Sequence, residues 1–298
     1  MLNIKYMVDS TSDIPHGFAK EHDVSVLGMP IQFEDGTSAL DWVEMDTDTF
    51  YEKLAKSSQI PTTSQPAIPV IEEIMRAGLN GHDALIYVTI SSKGSGTYQA
   101  AHLAKQNILE DMPDAKIEIV DSMAYSLYIV LMVQEGLRLQ KEGKTLDEIV
   151  AGMKELRCKT DVLVVVDTLK YLEKGGRINK ASLIAGTLLD LKPVLSVRGG
   201  VMESIDKFRG SKTIISKMVK KLKTTDIDLD DPCFCIVNSQ VPDRAAQLWD
   251  AVKAEFGQDQ KLVFESQIGA TVGTHIGPGT LAIFYKLKHP VQIYSDEA

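Results

Sequence analysis

The chain has 298 residues, with 32 Lys and Arg against 41 Asp and Glu, a net charge of −9 and 44% apolar residues. That is the balance of an ordinary soluble globular protein, long enough for two domains and a large core. No run of about 18 apolar residues is present and charge enters early at Lys5, so neither a membrane-spanning helix nor a signal peptide is expected. The acid excess argues against a nucleic-acid binder, and three cysteines (Cys158, Cys233, Cys235) leave one unpaired in any disulfide scheme, so a reducing, cytoplasmic home is expected.

Strands alternate with helices along the chain. Ile4 to Val8 is a short apolar run that ends in Asp9-Ser10-Thr11-Ser12-Asp13 before Pro15, and hydroxyls and carboxylates ahead of a proline are helix N-cap chemistry. Val24 to Phe33 leans to strand but is broken by Gly28 and Pro30. A short helical stripe through Phe50, Leu54 and Ala55 stops near Pro61, and a second helix runs from about Pro69 to Leu79. Ala84 to Ile90 is a continuous apolar run, as a strand buried on both faces requires. It leads through Ser91-Ser92-Lys93-Gly94-Ser95-Gly96 into a helix near Thr97. Ile117 to Asp121 repeats the strand, Ser122 is expected to start a long helix to about Glu142, and Leu146 to Leu156 is amphipathic. This βαβ series predicts a mostly parallel sheet flanked by helices. Three strand ends, Asp9-Ser10, Ser91-Ser92 and Asp121-Ser122, carry the small polar residues that gather where α/β sheets bind ligands.

Past Lys159 the texture changes. Val162 to Val166 reads as a strand, and two strands about Gly199-Gly200 read as a hairpin. Further strands are expected at Cys233 to Asn238, Lys261 to Gln267 and Leu281 to Tyr285. Residues 1–158 carry a net −11 and residues 159–298 a net +2. The expected architecture is therefore an N-terminal α/β domain, 1–158, and a C-terminal α+β domain, 159–298.

The chemistry-bearing groups narrow the field. The six histidines are scattered without metal-ligand spacing, and Cys233 and Cys235 read as core filler, so no metal is expected. Asp9 and Asp121 end strands and would suit Mg²⁺, but capping explains them at less cost. No Gly-x-Gly-x-x-Gly follows the first strand and no Walker loop is present. Three hydroxyl-rich segments remain: Pro61-Thr62-Thr63-Ser64-Gln65-Pro66, Ser91 to Tyr98, and Gly273-Thr274-His275-Ile276-Gly277-Pro278-Gly279. Each alone reads as a turn. Together they offer Thr hydroxyls, a Ser at a helix start and one imidazole, a set suited to a carboxylate without a full Arg counter-charge.

With Asp9 to Asp13, Tyr171-Leu172-Glu173-Lys174-Gly175-Gly176-Arg177-Ile178 and Lys207-Phe208-Arg209-Gly210 in the same order, these segments resemble the DegV family of bacterial fatty-acid-binding proteins over essentially the full length. The resemblance implies a non-catalytic protein without cofactor that holds one long-chain fatty acid, such as palmitate, in a cleft between its domains. It also implies presentation of the acid to a separate fatty acid kinase, which makes the acyl phosphate for phospholipid metabolism, with transient membrane contact for lipid exchange. Position by position, Thr63 and Ser95 match the head-group contacts, His275 and Arg177 the nearby histidine and arginine, and Thr62 and Gly176 their neighbours. Two departures stand out: Gly94 where relatives carry a bulky apolar residue, and Tyr125, Leu127 and Tyr128 where they carry small ones.

A sixteen-carbon tail buries about 15 carbons at ~0.8 kcal/mol each, on the order of 12 kcal/mol before ordering costs. Met29, Met75, Met123, Ile129 and Leu188 are candidates for the wall of such a tunnel, with core packing as the other reading. Arg209, Lys212, Lys217, Lys220, Lys221 and Lys223 form a basic stretch: a solvated face, or a surface on which Arg209 and Lys212 steer an acidic kinase. The rival reading is a hydrolase or acyltransferase with Ser95 as nucleophile and His275 as base. Ser95 lies between Gly94 and Gly96 and follows Lys93, outside a Gly-x-Ser-x-Gly elbow. A lipid-sensing transcription regulator is a third reading, against which stand the charge and the lack of a helix-turn-helix.

Overall fold

Two strands without a single exposed residue, β1 (Ile4–Asp9) and β6 (Ala84–Thr89), form the centre of the N-terminal sheet. The structure, a computed structural model, describes residues 2–178, 191–231 and 233–290; Leu188 lies outside them. The chain divides into two compact units, Met1–Arg157 with Gly269–Thr271, and Cys158–Ile268 with Val272–Ala298.

In unit 1, α1 (His16–Glu21) leads to β2 (Ser25–Leu27), which pairs parallel with β1. The run from Val24 to Phe33 is thus two strands, since β3 (Pro30–Gln32) leaves for a separate small sheet. That sheet has the order β4-β3-β5, with β4 at Ser38–Leu40 and β5 at Thr62–Thr63, joined by α2 (Thr47–Lys56). After α3 (Ile68–Leu79) come β6, α4 (Thr97–Asp111) and β7 (Ile117–Asp121), completing the four-stranded parallel sheet β2-β1-β6-β7. Helices α3 and α4 pack on one face, where Met7, Leu85 and Tyr87 meet Ile71, Met75, Ala101 and Ala104. Met75 therefore belongs to this core. On α5 (Leu127–Lys141), Gly136 leaves space for the Tyr6 ring and for Met153 of α6 (Leu146–Lys159). A sheet covered on both faces needs strands that are apolar throughout, which is what β1 and β6 are.

The helix expected from Ser122 begins five residues later. Asp121 accepts from the amides of Ser92 (3.1 Å) and Met123 (2.8 Å), and Ser122 Oγ accepts from Ala124 N (3.1 Å). Short polar side chains have captured the amides that a first helical turn would use. Ser126, at φ 62° and ψ −145°, then turns the chain into α5.

Unit 2 holds a six-stranded sheet in the order β10-β9-β8-β13-β11-β12. Its elements in chain order are β8 (Thr160–Val165), α7 (Lys170–Gly175), β9 (Leu191–Arg198), β10 (Val201–Arg209), α8 (Ile214–Lys223), β11 (Phe234–Asn238), α9 (Pro242–Phe256), β12 (Leu262–Gln267), α10 (Ala270–Ile276, the first two residues of which belong to unit 1) and β13 (Leu281–Lys286). Arg198 pairs with Val201 across Gly199 and Gly200, both at positive φ, which gives the tight hairpin turn its glycines allow. Only β11 and β12 run parallel; the other pairs are antiparallel. Met218 and Leu222 of α8 and Leu248 and Val252 of α9 close one core with Leu163, Val194, Ile236 and Ile283. Among the described residues no helix is long and apolar enough to cross a membrane.

Candidate functional site

The proline-bounded segment expected as a turn is partly strand. Thr62 pairs with Gln32 and Thr63 with Ile31, and Ser64 N donates to Pro30 O at 3.2 Å, so β3 fixes the backbone that carries both threonines. Thr62 is exposed and Thr63 half-buried. The segment after β6 is equally determined. Ser91 N donates to Ala124 O (3.0 Å), and Gly94 N and Ser95 N both donate to Ser91 O (2.9 and 3.1 Å). Ser95 Oγ lies 2.8 Å from Thr97 Oγ1 and accepts from Thr97 N at 3.3 Å, so its hydroxyl stands at the start of α4. A Cβ on Gly96 would fall 1.9 Å from Gln65 Oε1. The absence of that atom lets Gln65, which follows Thr63 by two residues, close on the Ser95 loop. Gln65 and the buried Thr97 were not singled out from the sequence; the glycine between Ser95 and Thr97 was the available signal.

Three carboxylates are buried behind these loops. Asp9 accepts from Thr11 N (3.1 Å) and Ile90 N (2.9 Å), and Asp41 accepts from Ala270 N (3.1 Å) and Thr271 N (3.0 Å). Asp13 accepts from Gly269 N (2.7 Å) and meets Ser126 Oγ. Burial pushes Asp9 up to about 6 and Asp13 up to about 8, each further raised by its acidic neighbours, and it raises Asp41 as well. Asp9 caps the 3-10 turn Ser10–Ser12, as capping chemistry suggested, but Asp121 caps its own loop and no helix. Asp13 and Asp41 were missed as a pair, and the clue was a lone acid inside the apolar run Ala39-Leu40-Asp41-Trp42-Val43.

In unit 2 the double glycine and the histidine motif meet. Gly176, at φ +68°, closes α7 in a left-handed cap, with Arg177 N donating to Leu172 O at 3.2 Å. Gly175 is needed for a different reason: its Cβ would lie 2.2 Å from His275 Nδ1. Arg177 donates to Gly175 O, and burial followed by the Arg177 charge pushes the imidazole down to about 4. His275 is therefore neutral near pH 7, a hydrogen-bonding group without the charge of a counter-ion. Gly277 and Gly279, both at positive φ, leave room for the Tyr171 ring and the Asp167 carboxylate, so this loop is shaped by packing. Of the residues expected at the site, Thr62, Thr63 and Ser95 thus lie in unit 1, and Gly176, Arg177 and His275 in unit 2.

On the basic stretch, Lys217 Nζ donates to Arg209 O, Lys221 pairs with Asp206 (3.3 Å) and Lys223 with Glu255 (2.6 Å). Arg209, Lys212 and Lys220 are exposed, and among the described residues Lys212 and Lys220 make no ion pair.

A family model for DegV, described as a family of uncharacterised proteins, matches residues 3–288. A DegV domain-containing protein of Clostridium perfringens is 32% identical over 287 residues, 95% of this chain and 98% of that protein. Among solved structures, a fatty-acid-binding DegV family protein from Thermus thermophilus is 30% identical, with a TM-score of 0.84 over 96% of this chain and all of that one. DegV of Bacillus subtilis, also a fatty-acid-binding protein, is 26% identical, with a TM-score of 0.82 over 97% of this chain and all of that one.

Proposed function

The chain belongs to the DegV family, and from that membership we propose that it binds one long-chain fatty acid. The observation that carries the reading is the approach of Gln65, from the Thr62-Thr63-Ser64-Gln65 segment, to Gly96, beside the uncharged Ser95 and Thr97 hydroxyls at the start of a fifteen-residue helix. Helix-start amides and hydroxyls receive an anion well, and they do so without the strong counter-charge that would hold a carboxylate too tightly for transfer. The head-group role is proposed for Thr63, Ser95 and Thr62 in unit 1, and for His275, Arg177 and Gly176 in unit 2. Relatives of 26% and 30% identity that bind fatty acids support the ligand class. Met29, whose Sδ lies 3.9 Å from Thr97 Oγ1, is well placed to touch the first carbons of the chain.

The test is lipid retention. Native mass spectrometry of the wild-type protein from its host should show a bound long-chain acid, identified after extraction. Thr63→Val with Ser95→Ala removes two hydroxyls of about 1 kcal/mol each, so retention should fall roughly thirtyfold while the melting temperature holds. Unchanged lipid content in that variant would remove both residues from the head-group role.

Under the same reading, a separate fatty acid kinase acts on the presented carboxylate, and Arg209 and Lys212 guide its docking. Reversing both charges should slow acyl phosphate formation with a purified kinase and leave lipid content intact; equal rates would sink the docking role. The hydrolase reading gains nothing from Ser95, whose hydroxyl is shared with Thr97, a neighbour that supplies no base. A fluorophosphonate probe that labels Ser95 would reverse that judgement.

A further inference from the structure

Gly94 and Tyr125, the two departures noted in the sequence, touch each other. A Cβ on Gly94 would lie 2.6 Å from Tyr125 Oη, 2.8 Å from Cε1 and 3.0 Å from Cζ. No side chain fits at position 94 unless the ring moves, so the phenol fills the space that a larger residue there would take. The Tyr125 loop is tied on one side by Ser91 N to Ala124 O (3.0 Å) and on the other by Ser126 N to Thr11 O (2.8 Å). The carboxylate of Asp121 and the hydroxyl of Ser122 fix the turn between them. Tyr125 is half-buried, and so presents part of its surface beside the Ser95 loop.

Position 94 precedes Ser95, and consecutive Cα atoms are about 3.8 Å apart. On the fatty-acid reading above, the carboxylate lies at Ser95 and the first two or three carbons of the chain lie within reach of the phenol. We infer that Tyr125, seated on Gly94, is a specificity-determining residue that walls the carboxyl end of the site and selects straight-chain acids unsubstituted at C2. The rigid ring leaves no volume for a branch next to the carboxyl group. A site that fits its ligand this closely discriminates by one methyl group at about tenfold or more.

The experiment compares hexadecanoic acid with 2-methylhexadecanoic acid on the full chain by competition binding. The wild type should prefer the unbranched acid by at least tenfold. Tyr125→Ala should bring that preference close to unity, and Gly94→Leu in the Tyr125→Ala background should restore it by refilling the vacated space. Where Tyr125→Ala does not fold, judged by its melting curve, Tyr125→Val carries the same expectation. A preference that survives removal of the ring, or that the double variant does not recover, overturns the inference. Wild-type protein that binds neither acid overturns the fatty-acid reading instead, and wild-type protein that binds both equally overturns only the role of Tyr125.

Discussion

Asp13 is an acid that keeps its proton. Burial and two acidic neighbours lift it to about 8 from an ordinary value near 3.8, against the pull of two donors, Ser126 Oγ on one carboxyl oxygen and Gly269 N on the other. The folded state therefore holds a proton that the unfolded chain releases between about pH 4 and pH 8. Stability is full below that window and falls as pH rises through it, by about 1.4 kcal/mol per pH unit. Asn has the same shape without the charge, still accepts at Oδ1, and tolerates the left-handed backbone of residue 13, at φ 50°. Asp13→Asn should thus fold normally and lose this part of the pH dependence, measured as urea midpoints across pH 5 to 8. A slope equal to that of the wild type would mean that Asp13 is ionised.

At the scale of elements, glycines decide which segments meet. Gly175→Ala places a methyl group against the His275 ring, so the imidazole must leave its seat and the desolvation that disfavours its protonated form must weaken. The expected outcome is a His275 titration that moves from about 4 toward the ordinary 6.5, followed by NMR, with the β8-centred sheet unchanged. An imidazole still titrating near 4 would show that α7 yields in its place.

The sequence made the strands plain because burial on both faces leaves an unbroken apolar run in β1 and β6, and it made α3 plain through its apolar stripe. It could not reveal that α5 starts at Leu127, because the amides before it are taken by Asp121 and Ser122, a contest between two local patterns that both favour polar residues there. The hydroxyls at 63 and 95 were legible as a type of chemistry. Their closure through Gln65 and Gly96 was not, since it joins residues about thirty positions apart through a missing side chain.

At the scale of the whole molecule, the three buried carboxylates of unit 1 and His275 of unit 2 respond to acid in opposite directions. In unit 1 the raised values of Asp9, Asp13 and Asp41 mean that stability grows as pH drops from about 8 toward 5. In unit 2 the lowered His275 means that stability is full above 6.5 and is lost as pH falls toward about 4. Hydrogen exchange at pH about 7.5 and about 5, corrected for intrinsic rates, should show β1 and β6 gaining protection while β8 and β13 lose it. Movement of both sheets in one direction would contradict the assignment.

The brief passage of Gly269–Thr271 through unit 1, with unit 2 chain on either side, limits how the protein can be cut and recombined. A fragment ending at residue 158 would leave Asp13 and Asp41 without three amide donors, at ~1–3 kcal/mol for each buried acceptor left bare. A chimaera that exchanges one half for a relative's must therefore carry this tripeptide along with the first half. A single crossover near residue 158 leaves those two carboxyls bare, and a second exchange around residues 269–271 covers them again.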